Sequence, residues 1–325
     1  MTVVISDAQV RRYFSMSQCV SAVERGFGAA GRGGFDVTER KVVAVEGGAR
    51  LLSLTAGSAA LGRLVANVYT GAPSGGDKRL TSVNRRQKFY VVFDAATGAC
   101  EAIVSGAHLS WLKTGAMGAV AIRHIAPESV RCLAILGSGR QARAALAGAV
   151  TVRDFDEIRV WSKTPGNAEK MVADFPGLPI AAVPRSAREA VNGAEVVVTA
   201  TTATEPIIDA EWLVAGCHVN SIGAHYPNHR ELDTETVRTS TVFVDTMVAA
   251  RAEKGELLIA ERDGAFSYDE VVGELGGLVA GTCDWTRSAG ERTLFASCGS
   301  AIESMGAAVG VLEAIPDEDR QTVEL

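Results

Sequence analysis

The run Gly137-Ser138-Gly139-Arg140-Gln141-Ala142 is the place where this chain is best equipped to hold a phosphate. It follows a short apolar run, Cys132 to Leu136, and opens an Ala-rich helical segment reaching Val150. In that strand–turn–helix setting the pattern GxGxxA has a mechanical meaning. Gly137 permits the tight turn, and Gly139 leaves the backbone open to a pyrophosphate. Ala142 lets the helix pack closely on the strand, and free N–H groups at the helix start meet the anion. A dinucleotide is the expected ligand. Cofactor choice rests on the end of the next strand, Glu157 to Trp161, where an acid would bind ribose hydroxyls. Ser162-Lys163-Thr164 stands there instead, a small polar and basic set that leans mildly to NADP over NAD, although Lys163 pointing to solvent is the simpler alternative. Thr201 and Thr202, after a later strand, are placed on the other side of the cofactor.

These residues need a scaffold of alternating strands and helices. Glu157–Trp161, Ala194–Ala200, His218–Ile222 and Thr241–Val244 read as further strands, with a helix over Asn167–Phe175. That alternation predicts an α/β fold with a doubly wound parallel sheet of the Rossmann kind. The first hundred residues read differently. Ser6-Asp7 caps a first helix whose apolar stripe is Val10, Phe14, Val20, Val23 and Phe27. Strands follow over Val42–Leu54, Leu64–Tyr69 and the hairpin Phe89–Asp94 and Cys100–Val104, with Gly71–Asp77 as a loop. A helix over Gly106–Ile125 leads into the nucleotide domain, and a last helix over Ser297–Leu312 is free to pack back on the first domain. The expected division is a smaller β-rich domain, 1–118 plus 300–325, and a dinucleotide-binding domain, 119–299. Pro316 to Leu325 is polar and expected to fray.

The 325 residues, 47% hydrophobic and 22% charged, fit a soluble protein of about two domains. A net charge of −6 argues against nucleic acid or an anionic membrane as partner. No apolar run approaches a membrane span. The first seven residues lack the basic start and long apolar core of a signal peptide. Six scattered cysteines without a CxxC pair suggest buried free thiols in a reducing cytoplasm.

Taken in order, Arg40, Asp94-Ala-Ala-Thr-Gly98, Leu112-Lys-Thr-Gly-Ala116, Gly137–Ala142, Trp161–Thr164 and Thr199–Thr202 form a recognisable set. Ile222-Gly-Ala-His225, Arg230-Glu-Leu-Asp233, Gly273-Glu-Leu275 and Glu291-Arg-Thr-Leu-Phe295 complete it. With these the chain resembles the ornithine cyclodeaminase/mu-crystallin family over almost its whole length. The resemblance implies a homodimer in which the β-rich domain forms the interface and closes over substrate. It also implies chemistry on an imino or amino acid with NAD or NADP.

The same resemblance assigns site residues. Arg40 matches the arginine that grips the substrate carboxylate, for which a planar fork is suited. Lys113 stands where the family usually has arginine; with Thr114 it is expected to face substrate and pyrophosphate. The family lysine of the strand Gly62–Asn67 aligns with Leu64, so either Arg63 serves through a slip in register or the function is absent. Gly223-Ala-His225 stands where many members read Gly-x-Asp. Histidine there can move a proton, and its charge favours an anionic substrate; a structural loop histidine is the other reading. Pro227 lies between His225 and His229, so no metal is expected. Lys78, Arg79, Arg85, Arg86 and Lys88 are read first as a solvated basic face. If one or two of them point inward beside Arg40 and Lys113, the pocket suits more than one carboxylate.

The leading expectation is an imine reductase or amino-acid dehydrogenase, with His225, Arg40, Lys113 and Arg63 as catalytic candidates. Its substrate would be an α-imino acid, for example iminosuccinate. An ammonia-releasing cyclodeaminase and a non-catalytic nucleotide-bound binding protein are the alternatives.

Overall fold

The computed structural model describes residues 1–46, 48–71 and 87–325. Two compact units are present, Met1–Lys113 with Ser300–Leu325, and Thr114–Gly299.

The first unit is built on a mixed sheet, eight-stranded among the described residues. Strand β1 (Thr2–Ile5) leads into α1 (Asp7–Tyr13) and α2 (Met16–Gly31). The strands β2 (Phe35–Val37), β3 (Lys41–Ala44), β4 (Arg50–Ser58), β5 (Arg63–Gly71), β6 (Lys88–Asp94) and β7 (Cys100–Ser105) follow. Alternation decides the faces. Leu54, Ala56, Val65, Tyr90, Val92, Ala102 and Val104 are buried. Leu51, Leu64 and Phe89, on the opposite face, are exposed. Helix α3 (Gly106–Ile125) begins here, and the unit boundary falls within it.

Three expectations are corrected in this unit. The stripe from Val10 to Phe27 is two helices, because Ser15 forms a capping box with Gln18 and restarts the chain after Phe14. The carboxyl-terminal tail, expected to fray, pairs instead. Strand β15 (Gln321–Val323) runs antiparallel to β1, which also joins β7 in parallel. The last helix, α11 (Ala301–Ala314), starts four residues later than expected, capped by Ser300 and Glu303. It crosses α2 so closely that a Cβ on Gly306 would lie 2.7 Å from the Ala22 carbonyl oxygen.

The second unit carries the parallel sheet, with β8 (Cys132–Leu136), β9 (Glu157–Trp161), β10 (Val196–Thr199) and β11 (His218–Ser221). Strands β12 (Thr241–Val244), β13 (Val271–Glu274) and β14 (Thr293–Ala296) complete it, in the order β13-β12-β14-β11-β10-β8-β9. Central strands β8, β10, β11 and β14 are buried at every position; β8 and β10 are accordingly almost wholly apolar, whereas β11, His218-Val-Asn-Ser221, buries polar side chains that are hydrogen-bonded. Helices α4 (Arg140–Ala149), α5 (Pro165–Ala173), α6 (Ala187–Val191), α7 (Thr234–Arg238), α8 (Met247–Glu253), α9 (Gly255–Arg262) and α10 (Leu275–Ala280) connect them. α4 lies tight on α3, because a Cβ on Gly148 would run into the Gly115 carbonyl. All six cysteines are free; Cys19, Cys132 and Cys217 are buried, whereas Cys100, Cys283 and Cys298 are only partly so. Among the described residues no helix is long and apolar enough to cross a membrane.

One buried histidine makes the fold acid-sensitive. His218 Nδ1 lies 3.0 Å from Thr293 Oγ1, its cross-strand neighbour. Burial, with Arg287 and Arg153 adding to it, pushes its pKa down to about 3. The folded protein keeps this ring neutral while the unfolded chain protonates it below about pH 6.5. The associated stability is therefore whole above pH 6.5 and is lost as pH falls toward 3. Glu231, described below, drifts in the opposite sense and is common to both proteins compared. In thermal and urea melts, wild type should lose about 2 kcal/mol more than His218→Asn between pH 6.5 and 5. Parallel losses in the two proteins would refute the assignment.

Candidate active site

In the second unit, the turn after β8 is shaped by what surrounds it. Gly137 has φ +120°, a conformation that side chains resist, and a Cβ there would collide with the Ala200 carbonyl. Its N–H donates to the Trp161 carbonyl at 2.8 Å, tying the turn to the end of β9. Gly139 is the reverse case. A Cβ there would meet nothing within 4 Å, and as N-cap of α4 it offers no side chain to the helix N–H groups. An open helix start beside bare backbone is what a pyrophosphate needs. β8 also sits where the strand order reverses, with β9 on one side and β10 on the other. The residues present fit a dinucleotide. Ser138 Oγ donates to Ser162 Oγ at 3.0 Å, while Lys163 and Thr164 are exposed.

Beside this turn lies a cluster of buried charge. Glu231 is fully buried. Its carboxylate accepts from Thr199 Oγ1 at 2.8 Å, Thr201 N–H at 2.6 Å and Gly223 N–H at 2.8 Å. Glu256 accepts from Ser221 Oγ at 2.9 Å and from the Glu231 N–H at 3.2 Å. Lys254 Nζ reaches Glu256 Oε2 at 3.1 Å and donates to Ser221 Oγ at 2.9 Å. Burial and the neighbouring Glu256 raise the Glu231 pKa, against the pull of Thr201. Burial alone would depress Lys254, but Glu256 foremost overrides it and holds the ammonium charged. The network clamps both ends of the segment 223–231. Gly223 fits because a Cβ would sit 2.5 Å from the Glu231 carboxylate, and Gly255 because a Cβ would strike the His229 carbonyl.

His225 rides on that segment. It is exposed, with Nδ1 2.9 Å from the Gly223 carbonyl oxygen and its ring 4.6 Å from that of Tyr226. A carbonyl only accepts, so in this contact Nδ1 carries a proton.

The first unit gathers cations around Tyr69. Arg40 donates through Nη1 to the Tyr69 hydroxyl, its guanidinium carbon 5.9 Å from the ring centre. Lys88, opposite Tyr69 in the β5–β6 ladder, holds its ammonium 4.6 Å from the same centre. Asn67, two residues before Tyr69 and on its face, donates to Ser304 Oγ at 3.3 Å.

A model of the ornithine cyclodeaminase/mu-crystallin family matches residues 1–319. The chain belongs to that family. The mouse ketimine reductase mu-crystallin is 35% identical over 232 residues, 70% of this chain and 69% of that protein. Among solved structures, Thermococcus litoralis Δ1-pyrroline-2-carboxylate reductase in complex with NADH and L-proline superposes with a TM-score of 0.90. It is 28% identical and covers 99% of this chain and 100% of its own. An archaeal alanine dehydrogenase dimer with bound NAD gives a TM-score of 0.87 at 26% identity, covering 96% of this chain and 95% of that one.

Against the family pattern, the catalytic candidates separate. Arg40 stands by Tyr69, as described. Arg63 does not join it. Six residues along β5, roughly 20 Å, it lies 2.5 Å from Glu101 and 3.9 Å from Asp94, on the far end of the strand. Leu64 points to the opposite, exposed face. Lys113 is buried, its ammonium 2.6 Å from Glu303 at the start of α11, so its charge is answered within the protein rather than turned to a substrate. Thr114 and Thr201 are half-buried and Thr202 is exposed. Lys78, Arg79, Arg85 and Arg86 lie outside the described residues. Sequence reasoning missed Tyr69, Lys254 and Glu256. A lysine and a glutamate flanking Gly255 at the head of an apolar helix were the signal for the last two.

Removing the Glu231 acceptor should loosen the His225 segment. Glu231→Ala leaves two backbone N–H groups and a hydroxyl buried without a partner, a loss of about 3–5 kcal/mol in urea unfolding. Glu231→Gln keeps the shape and removes the repulsion with Glu256, so it should cost less than half as much. Equal losses would show that the carboxylate shape is irrelevant.

Proposed function

We propose that this protein is an NAD(P)-dependent oxidoreductase of C=N groups, an imine reductase that converts an α-imino acid into an amino acid. The observation that carries the reading is the dinucleotide turn of the second unit, where Gly139 leaves the start of α4 bare; the first unit, taken by itself, holds Arg40 on the Tyr69 hydroxyl. Arg40, steadied by Tyr69, holds the α-carboxylate through parallel hydrogen bonds. Gly137, Ser138, Gly139, Arg140, Gln141 and Ala142 seat the pyrophosphate, and Thr114, Thr201, Thr202 and Gly223 serve the rest of the cofactor. A reduced nicotinamide held there would supply hydride for the imino carbon. As the C=N electron pair settles on nitrogen, His225 Nε2 gives that nitrogen a proton, while its Nδ1–H stays on the Gly223 carbonyl. Ser162, Lys163 and Thr164, without an acid at the end of β9, favour NADPH over NADH. We further infer a substrate with a second carboxylate, such as iminosuccinate giving aspartate.

Absorbance at 340 nm tests the reading, with NADH or NADPH, ammonium and a panel of 2-oxo acids together with pyrroline-2-carboxylate. Oxidation is expected, strongest with oxaloacetate and NADPH. His225→Asn should lower kcat by about 10²–10³ with KM little changed, and His225→Asp should recover part of it. Ammonia release from ornithine without net cofactor change would favour a cyclodeaminase instead.

A homodimer is the assembly we propose. The outward sheet face of the first unit leaves Leu51, Leu64 and Phe89 between 42% and 48% exposed, with Val43, the ladder partner of Leu51, beside them. A contiguous apolar face of this kind needs a cover. Light scattering after gel filtration should give twice 34.0 kDa, and Leu64→Glu with Phe89→Glu should give a monomer. A wild-type monomer would overturn the proposal.

A further inference from the structure

We propose that Glu231 is a positioning residue that couples the dinucleotide turn to the loop carrying His225, so that a bound dinucleotide orders that loop. The inference rests on the dinucleotide-dependent reading given above and adds how cofactor binding reaches the loop. Every residue it uses lies in the second unit.

The link begins at the turn. A Cβ on Gly137 would collide with the Ala200 carbonyl and lie 3.4 Å from Thr201 Cγ2, so the turn and the residues after β10 touch without slack. The Thr201 N–H donates to Glu231 Oε1 at 2.6 Å. The other oxygen, Oε2, accepts from the Gly223 N–H at 2.8 Å and from Thr199 Oγ1 at 2.8 Å. One carboxylate thus spans the ends of two paired strands, β10 and β11, with a separate oxygen for each backbone N–H. The second contact is as close as the first, since a Cβ on Gly223 would lie 2.5 Å from both carboxylate oxygens.

A residue can relay order only if it cannot itself swing. Glu231 is tied through its main chain on both sides. Its N–H donates to Glu256 Oε1 at 3.2 Å, and its carbonyl accepts from the Ile207 N–H at 2.8 Å. Glu256 is held in turn by the Lys254 ammonium, 3.1 Å away, and by the Ser221 hydroxyl at 2.9 Å. Glu231, Glu256 and Lys254 are all buried. The loop then has two states, the pinned one and a locally opened one in which the Gly223 N–H has left Oε2. A dinucleotide resting on the turn fixes residues 200–201, and with them the carboxylate, which leaves less to order when the loop closes.

The test is hydrogen exchange read by mass spectrometry on the full chain, with and without saturating NADH or NADPH. Wild type is compared with Glu231→Gln and Thr199→Val. A glutamine side chain has one accepting oxygen, so it can hold the Thr201 N–H or the Gly223 N–H but not both. Thr199→Val removes a hydroxyl and leaves both N–H contacts in place. In wild type, dinucleotide should slow exchange over residues 223–231 by about 10-fold. Glu231→Gln should lose that slowing while dinucleotide still protects residues 137–142. Because coupling is reciprocal, its Kd for dinucleotide should rise by about the same 10-fold. Thr199→Val should keep the slowing.

Slowing that persists in Glu231→Gln, or that is absent from wild type with dinucleotide bound, would overturn the proposal. Should Glu231→Gln fold poorly, loss of the slowing in Thr199→Val would overturn it equally. If wild type binds dinucleotide but oxidises it with no imine, the reductase reading falls and the coupling is still judged by exchange. Calorimetry showing that neither NADH nor NADPH binds would sink both together.

Discussion

Two carboxylates, Glu231 and Glu256, are buried beside one another in the second unit, and the ammonium of Lys254 offsets their repulsion. Burying three charges is costly unless their hydrogen bonds are met, and the chain meets them with backbone. Thr201 and Gly223 give their N–H groups to Glu231, and Ser221 lends its hydroxyl to Glu256. The ends of β10 and β11 are thereby fixed to one carboxylate each. The segment from Gly223 to Glu231, His225 included, can take few other courses. A side chain on an exposed loop would ordinarily wander; here both ends of its loop are anchored in a buried ionic network.

The same economy of space governs the dinucleotide turn. At Gly137 the neighbouring Ala200 carbonyl fills the room a side chain would need, whereas at Gly139 the room is left open. One glycine is excluded from change by the protein around it, whereas nothing in the protein stands against a side chain at the other. The spacing of GxGxxA made both legible from sequence, because the requirement is local and lies within six residues. The buried strands β8 and β10 were equally legible, since their runs are almost wholly apolar, whereas β11 is buried as fully while carrying His218, Asn220 and Ser221. β1 and β15 were not. Their partners are each other and β7, up to three hundred residues away, and a four-residue apolar start carries no sign of that pairing. Ser15 was visible as a residue but not as a cap, because the apolar stripe continues through the break.

Side-chain roles were least legible where charge decides them. The family pattern nominated Arg40, Arg63 and Lys113 alike, and sequence has no means of showing which carboxylate each one meets. The fold separates them by distance along strands and by burial. Arg63 faces the same side as Tyr69, yet stands too far down β5 to share its neighbourhood. Lys113 is near enough to the helix start of α11 to be claimed by Glu303. Lys88 was read together with four other basic residues as a solvated face, and of the five it alone lies among the described residues.

Strand position is what gives Lys88 its meaning. An ammonium at the first residue of β6 can lie over a ring on β5 because directly paired residues stand on one face of a sheet. Moving it by one residue would turn it to the face that carries Phe89. Such pairing is hidden from a linear reading, because residues 69 and 88 become neighbours only once β5 and β6 are aligned, and the register that aligns them is set by the whole ladder from Arg63 to Tyr69 rather than by either residue.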